Sequence, residues 1–138
     1  MSFREKSAWI TLVTVLLCFG VYFGSIVSGQ VSGRGFGALH LLLLCVTALV
    51  VLQLALNGVA VVTTPRDGRA PRDEREAAIQ ARSHTVGYYV LMVFVLALAL
   101  PVHFGHPPPD LLNFALLDVV IATLAVAVAQ IVMFRRGA

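Results

Sequence analysis

Four long apolar runs most strongly limit how this chain can fold. They cover about residues 8–27, 38–62, 85–102 and 111–134, and together they take up most of the 138 residues. A run of roughly 18 or more apolar residues is long enough to cross a bilayer as a helix. Because 59% of the residues are hydrophobic and only 12% are charged, a soluble fold of this size would lack the polar surface that it needs. We therefore predict an all-α integral membrane four-helix bundle, built from two transmembrane hairpins in one domain, residues 1–138.

The N-terminal run has some features of a signal peptide, because Arg4 and Lys6 precede it. The run from Ala8 to Ile26 is longer than the apolar part of a signal peptide, and no small-residue cleavage site follows it. We therefore expect it to be retained as the first span. Cys18 and Cys45 lie inside apolar runs without the spacing of a redox or zinc site, so we predict buried, unreactive thiols.

One long polar segment, residues 63–84, separates the two hairpins. Its first half contains two prolines and a glycine between residues 64 and 71, which predicts a loop. Asp73 and Glu76 then have the spacing of a capping box, and no glycine or proline occurs between Asp73 and Thr85. We therefore predict a helix that starts outside the membrane and continues into the third span.

The basic residues predict the orientation of the chain. If both termini lie on one side of the membrane, that side carries nine of the ten Lys and Arg residues, and the opposite loops carry only Arg34. Basic residues concentrate on the cytoplasmic side, so we predict a multi-pass protein with both termini in the cytoplasm. The same requirement explains the net charge of +3, and nucleic acid is therefore not a predicted partner. The nine residues are Arg4, Lys6, Arg66, Arg69, Arg72, Arg75, Arg82, Arg135 and Arg136.

The loop between the third and fourth spans is rich in proline and histidine. Pro101 is expected to end or kink the third span, and Pro107–Pro109 to form a short polyproline II segment. Asp110 is then placed to cap the fourth helix. His103, His106 and Asp110 are weak candidates for a metal site, because they are not obviously on one helix face; ordinary interface histidines are the favoured interpretation.

Three polar residues inside the spans are candidate functional residues. Asp118 lies about seven residues into the fourth span, where an ionised carboxylate costs on the order of 2.5–3.5 kcal/mol on insertion scales. It is either a proton- or cation-coupling carboxylate or a structural hydrogen-bonding group. Gln53 and Asn57 are four residues apart, so they share one face of the second helix. They are more typical of hydrogen bonds between helices than of a polar path.

Small residues mark a further feature of the first span. Gly20 and Gly24 form a GxxxG pair on one helix face, a pattern that lets a second helix approach closely. The pattern is common in apolar helices, so it predicts a close contact without identifying the partner helix.

The start of the third helix is the candidate docking face for a protein partner. Its residues stand in the stretch PRDEREAAIQARSHTVGYYVL, which, together with the opening FREKSAWI, resembles small four-span bacterial inner-membrane proteins of unknown function that carry a DERE-type motif before the third span. The resemblance implies an accessory or sensing role in the bacterial inner (plasma) membrane, and it offers no catalytic residue. The matching positions are Asp73, Glu74, Arg75, Glu76, Ile79 and Arg82.

Two functions therefore remain open at the level of sequence. The first is a non-enzymatic accessory or interaction subunit that uses its 73–82 helix, without a cofactor, in contact with the lipid bilayer and a protein partner. The second is a small, oligomeric proton- or cation-coupled transporter or channel that uses Asp118. A membrane enzyme acting on lipid or quinone is a third and weaker alternative, because the chain has no GxSxG, Walker or HExxH motif.

Overall fold

The computed structural model describes residues 3–33, 35–63 and 73–136. These ranges form four long helices and one short one, and the predicted all-α four-helix bundle is confirmed. Each predicted span lies within one long helix, except that the third continues into the short helix. The helices are α1 (Phe3–Val27), α2 (Phe36–Thr63), α3 (Glu74–Ala97), α4 (Ala99–His103) and α5 (Pro108–Arg136).

The four long segments have the length and composition of membrane spans. In the most apolar 18-residue window of each segment, only 6% to 28% of the residues are buried inside the bundle. Many of the remaining apolar side chains are exposed, and water would solvate them poorly whereas hydrocarbon solvates them well. The chain is therefore an integral, multi-pass membrane protein.

The two hairpins pack against each other through one helix of each. Helix α1 packs on α2, α3 packs on α5, and α1 also packs on α5, so that α2 and α3 lie at the two edges. Phe3, Glu74 and Arg136 therefore lie at one end of the bundle, which we name the termini end. The α1–α2 and α4–α5 connections lie at the other end, which we name the hairpin end.

The start of α3 follows the predicted pattern only in part. Asp73 occupies the N-cap position with an extended backbone, but its side chain makes no capping hydrogen bond. The helix is uninterrupted from Glu74 to Ala97. The break at Leu98 lies three residues before Pro101, because proline has no N–H to donate to the preceding turn and its ring crowds that turn.

Two expectations for the next connection were wrong. Helix α5 begins at Pro108, so the second and third prolines form its first turn and do not belong to a polyproline II segment. Proline suits that position because its fixed φ is helical and the N–H it lacks would have no helical partner there. Asp110 consequently lies inside the first turn of α5 and does not cap it.

Gly87 sets the closest approach between α3 and α5. A Cβ atom at this position would collide with Cγ2 of Val126, and it would lie 3.4 Å from the carbonyl oxygen of Ala122. In contrast, a Cβ atom at Gly20 or Gly24 would meet nothing within 4 Å. The predicted close approach at the GxxxG pair is therefore not made within the described part of this chain.

Candidate functional site

Asp118 is buried where α5 packs against α3. It is 6% exposed, and its Oδ2 atom is buried without a hydrogen-bond partner among the described residues. The carboxyl group borders a crevice of about 320 Å³ that is lined mainly by apolar side chains, including Phe94, Pro101 and Phe114. A buried carboxylate oxygen without a donor loses its hydration without compensation. Asp118 therefore needs a proton, a cation or a donor from another molecule.

His106 lies in the same crevice as Asp118. Its Nδ1 atom is 3.2 Å from the carbonyl oxygen of Pro101, to which the ring donates when Nδ1 carries the proton. The ring also makes an edge contact with Phe114, at 5.8 Å between ring centroids. His106 is exposed and lies at the hairpin end of this crevice.

The weak metal candidates do not come together as ligands. His103 closes α4, His106 contacts Pro101, and Asp110 lies in the first turn of α5. Across residues 3–33, 35–63 and 73–136, no group of three or more His, Cys, Asp or Glu side chains is placed to hold a metal ion.

Gln53 and Asn57 lie at the contact between α1 and α2. The Nε2 amide of Gln53 donates to the hydroxyl of Thr14 at 3.3 Å, and that fully buried hydroxyl donates to the carbonyl of Ile10 at 2.7 Å. Asn57 donates to the carbonyl of Gln53 at 2.8 Å, and its Oδ1 atom is buried without a partner in the described residues. The first of these bonds joins α1 to α2, whereas the bond of Asn57 stays within α2.

Ion pairs join three helices at the termini end, and we name this set the ion-pair rim. The Nε of Arg4 donates to Glu76 at 2.9 Å, which joins α1 to α3. The Nε of Arg135 lies 3.4 Å from Glu5, and its guanidinium lies 5.5 Å from the centre of the Trp9 ring, which joins α5 to α1. The first turn of α3 is therefore level with the charged ends of α1 and α5.

The candidate docking residues divide between two faces of α3. Ile79 is 2% exposed, and Glu76 is engaged with Arg4, so both face the bundle. Asp73, Glu74 and Arg82 are exposed. Arg75 is also exposed and has an interaction partner within the chain. A partner could therefore contact only some of the six candidate docking residues, because the others face the bundle.

A groove lies between α1, α3 and α5. It has a volume of about 530 Å³ and begins just inside the ion-pair rim. We name it the polar groove, because hydroxyl, amide, imidazole and phenol groups line it. These side chains are Ser7 and Thr11 of α1, Gln80, His84 and Tyr88 of α3, and Thr123 and Gln130 of α5.

Sequence reasoning did not find the polar groove. A signal was present, since Ser7 and Thr11, Gln80 and His84, and Thr123 and Gln130 are pairs spaced to share one helix face. Each pair is unremarkable within its own helix. Their combination depends on the contact of α5 with both α1 and α3, which hydropathy does not predict.

Comparisons with known proteins add no relative to these observations. No protein-family model matches the chain, and no curated protein sequence or solved structure is significantly similar to it.

Proposed function

We propose that this protein is a small proton- or cation-coupled transporter or channel in which Asp118 is the intramembrane carboxylate. The observation that carries the proposal is the burial of Asp118 with an oxygen that no described donor satisfies. Ionisable residues within spans are rare because they are costly, and they commonly mark ion paths or proton relays. A reversible proton or a monovalent cation satisfies the oxygen without a permanent partner.

The neighbouring crevice supports the same function. Asp118 and the exposed His106 both line it, so the candidate ion-binding residue borders a cavity that extends toward the hairpin end. The resemblance described above implies the bacterial inner membrane, and the positive-inside pattern then predicts that the termini end lies in the cytoplasm. The crevice then opens toward the outer side.

Ion flux across vesicles tests this proposal. Purified protein is reconstituted into lipid vesicles, and proton movement is followed with a trapped pH dye under an imposed potential; sodium and potassium fluxes are measured in parallel. The Asp118→Asn variant should lose at least tenfold of the flux and keep its thermal stability and oligomeric mass. Asp110→Asn is the matched control, since it makes the same change on the same helix outside the crevice. Wild-type flux in Asp118→Asn would overturn the proposal.

A second candidate function is docking of a cytoplasmic protein on the outward face of α3. The specific observation is that the ion pair of Glu76 with Arg4 and the burial of Ile79 and Ser83 hold this part of α3 against the bundle. The helix therefore presents Asp73, Glu74 and Arg82 in a fixed arrangement, which lowers the entropy that a partner would otherwise lose on binding.

Site-specific crosslinking in native membranes tests the docking function. A photoreactive side chain at the exposed Ala78 should capture one partner in a fixed ratio, and the same group at the buried Ile79 should capture none. Reversing two charges, with Glu74→Arg and Arg82→Glu, should abolish capture without changing ion flux. Equal capture at both positions would show that the contact is not specific to this face.

A further inference from the structure

The lining of the polar groove conflicts with a purely hydrocarbon environment. The groove opens between membrane-spanning helices, so lipid chains would lie against it. Hydrocarbon offers no hydrogen bonds, and a polar group left unpaired in it costs free energy. Gln130 lies within the predicted fourth span, whereas Gln80 and His84 precede the predicted third span and lie at the membrane edge; an occupant with donors and acceptors would pair all three side chains. The groove is about 530 Å³, within the range of roughly 300–1,000 Å³ that ligand sites have.

The polarity of the groove changes along the helix axes. A smaller cavity at its entrance, about 180 Å³, is lined by Arg4 and Glu76 and shares Ser7, Gln80 and Gln130 with the groove. The far end is apolar and is lined by Leu91, Val119 and Ala122. From Gln80 to Leu91 the groove spans eleven residues of α3, or about 16 Å at 1.5 Å per residue. The groove thus has a polar head region at the membrane edge and an apolar region toward the membrane centre.

The charges at the entrance limit the headgroup that fits. Among the described residues that line the groove and its entrance, the charged side chains are Arg4 and Glu76, and their charges cancel. The two side chains already pair with each other at 2.9 Å, so a headgroup with a net charge would bring a charge that this neutral entrance does not balance. The guanidinium of Arg4 suits a phosphate, and the carboxylate of Glu76 suits an ammonium group. The amides of Gln80 and Gln130 both donate and accept, so they suit either group.

We propose that the polar groove binds one zwitterionic phospholipid whose headgroup carries a phosphate and a primary ammonium group. The headgroup lies beside the Arg4–Glu76 ion pair, with the phosphate at the terminal nitrogens of Arg4 and the ammonium at the second carboxylate oxygen of Glu76, and it also bonds to the two glutamine amides. One acyl chain follows α3 past Gly87 to Leu91, where the groove is apolar. The groove lies beside Val119 and Ala122 of α5, whereas the crevice at Asp118 is lined by Leu117 and Ile121. The lipid site is therefore separate from the proposed ion site.

Native mass spectrometry measures the bound lipid directly. The protein is purified in a mild detergent and incubated with equal amounts of phosphatidylethanolamine, phosphatidylcholine and phosphatidylglycerol. We expect one phosphatidylethanolamine per chain, bound at least tenfold more than the other two. Phosphatidylcholine has no ammonium hydrogen to donate to Glu76, and phosphatidylglycerol has a net negative charge. Equal or preferred binding of either lipid would overturn the proposal.

A double substitution locates the bound lipid. Gln80→Leu with Gln130→Leu removes both amides and should lower phosphatidylethanolamine binding at least tenfold. Gln53→Leu makes the same chemical change at the α1–α2 contact and should leave binding unchanged once stability is matched. If the double variant fails to fold, Ser7→Leu is the second test, because Ser7 lines both the groove and its entrance and a larger side chain would fill the passage.

The remaining outcomes also decide the proposal. Unchanged binding in both groove variants, or a dimer of this chain that retains no lipid, would overturn it; the second result would show that another copy covers the groove. Asp118→Asn should retain the lipid fully. A failure of the lipid proposal is therefore distinguishable from a failure of the ion-flux proposal, because each depends on its own variants.

Discussion

At the scale of single residues, the interface between α3 and α5 combines close backbone packing with a buried acidic side chain. Gly87 allows the two backbones to approach so closely that a Cβ atom would strike Val126, and Asp118 is buried in the same interface. Close packing excludes lipid from the carboxylate, while it also reduces the space for compensating donors. The interface therefore keeps a polar group away from hydrocarbon without satisfying its hydrogen-bonding capacity.

Gly87→Ala should destabilise the bundle, even though alanine favours helix by about 0.8–1.0 kcal/mol over glycine. The added methyl collides with Val126, and overpacking of this kind costs about 1–3 kcal/mol, so the collision should outweigh the propensity. The expected result is a lower midpoint of thermal unfolding in mild detergent. Gly20→Ala is the matched control and should be neutral or stabilising, since its Cβ meets nothing within 4 Å. Adding Val126→Ala to Gly87→Ala should raise the unfolding midpoint again. If it does not, the collision with Val126 is not the cause of the destabilisation.

Sequence alone singled out Asp118, because one acidic residue in an apolar run stands out whatever its surroundings. It did not place the carboxyl group against α3, since every face of these helices is apolar and the hydrophobic pattern therefore leaves helix rotation undetermined. The same ambiguity explains Ile79 and Glu76. Their motif was recognisable in the sequence, but its division into a buried and an exposed face depended on the contact with α1 and α5.

At the scale of helices, Asn113 connects three elements at the hairpin end. Its Oδ1 accepts from the Tyr22 hydroxyl at 2.9 Å, and its Nδ2 donates to the Gly33 carbonyl at 3.1 Å. Tyr22 is 2% exposed, so its hydroxyl has no ready access to water. This one side chain thereby fixes both α1 and the α1–α2 connection to α5.

Asn113→Leu should cost more stability than Tyr22→Phe. The first change leaves a buried hydroxyl without its acceptor, at about 1–3 kcal/mol, whereas the second removes the donor itself and leaves an amide oxygen of a less buried residue. Unfolding midpoints of both variants and of their combination provide the measurement. In the double variant, the loss of stability caused by Asn113→Leu should be smaller, because the Tyr22 hydroxyl that would lack an acceptor is no longer present. Strictly additive losses would show that the hydrogen bond does not couple the two helices.

The Arg4–Glu76 ion pair should hold the start of α3 to α1 only modestly. The two side chains are 28% and 25% exposed, and exposed pairs contribute about 0.2–1 kcal/mol. Arg4→Glu and Glu76→Arg should each lower the unfolding midpoint, and the exchanged pair should recover most of the loss. Both effects should weaken at high salt. A stability that is unchanged in both single variants would show that α3 is held by Ile79 and Ser83 instead.

At the scale of the whole molecule, the helix contacts within each hairpin could be predicted from the short connections. The contacts between the two hairpins could not. Short loops bring α1 to α2 and α3 to α5. The contact of α1 with α5, and the positions of α2 and α3 at the edges, required knowledge of side-chain packing. That contact contributes to the polar groove and the ion-pair rim, whereas the crevice at Asp118 depends on the packing of α3, α4 and α5.

The predicted orientation of the whole molecule can be measured by thiol labelling. Cys18→Ala and Cys45→Ala first remove the two native thiols, and a single new thiol is then introduced as Phe104→Cys or Glu74→Cys. Phe104 is 81% exposed at the hairpin end, and Glu74 is exposed at the termini end. On the predicted orientation, a membrane-impermeant maleimide should label Phe104→Cys from outside the membrane, and it should reach Glu74→Cys only after the membrane is opened, because basic residues favour the cytoplasmic side. The reverse pattern would invert the orientation and make the crevice at Asp118 face the cytoplasm, while labelling of both positions from one side would contradict the four-span arrangement itself.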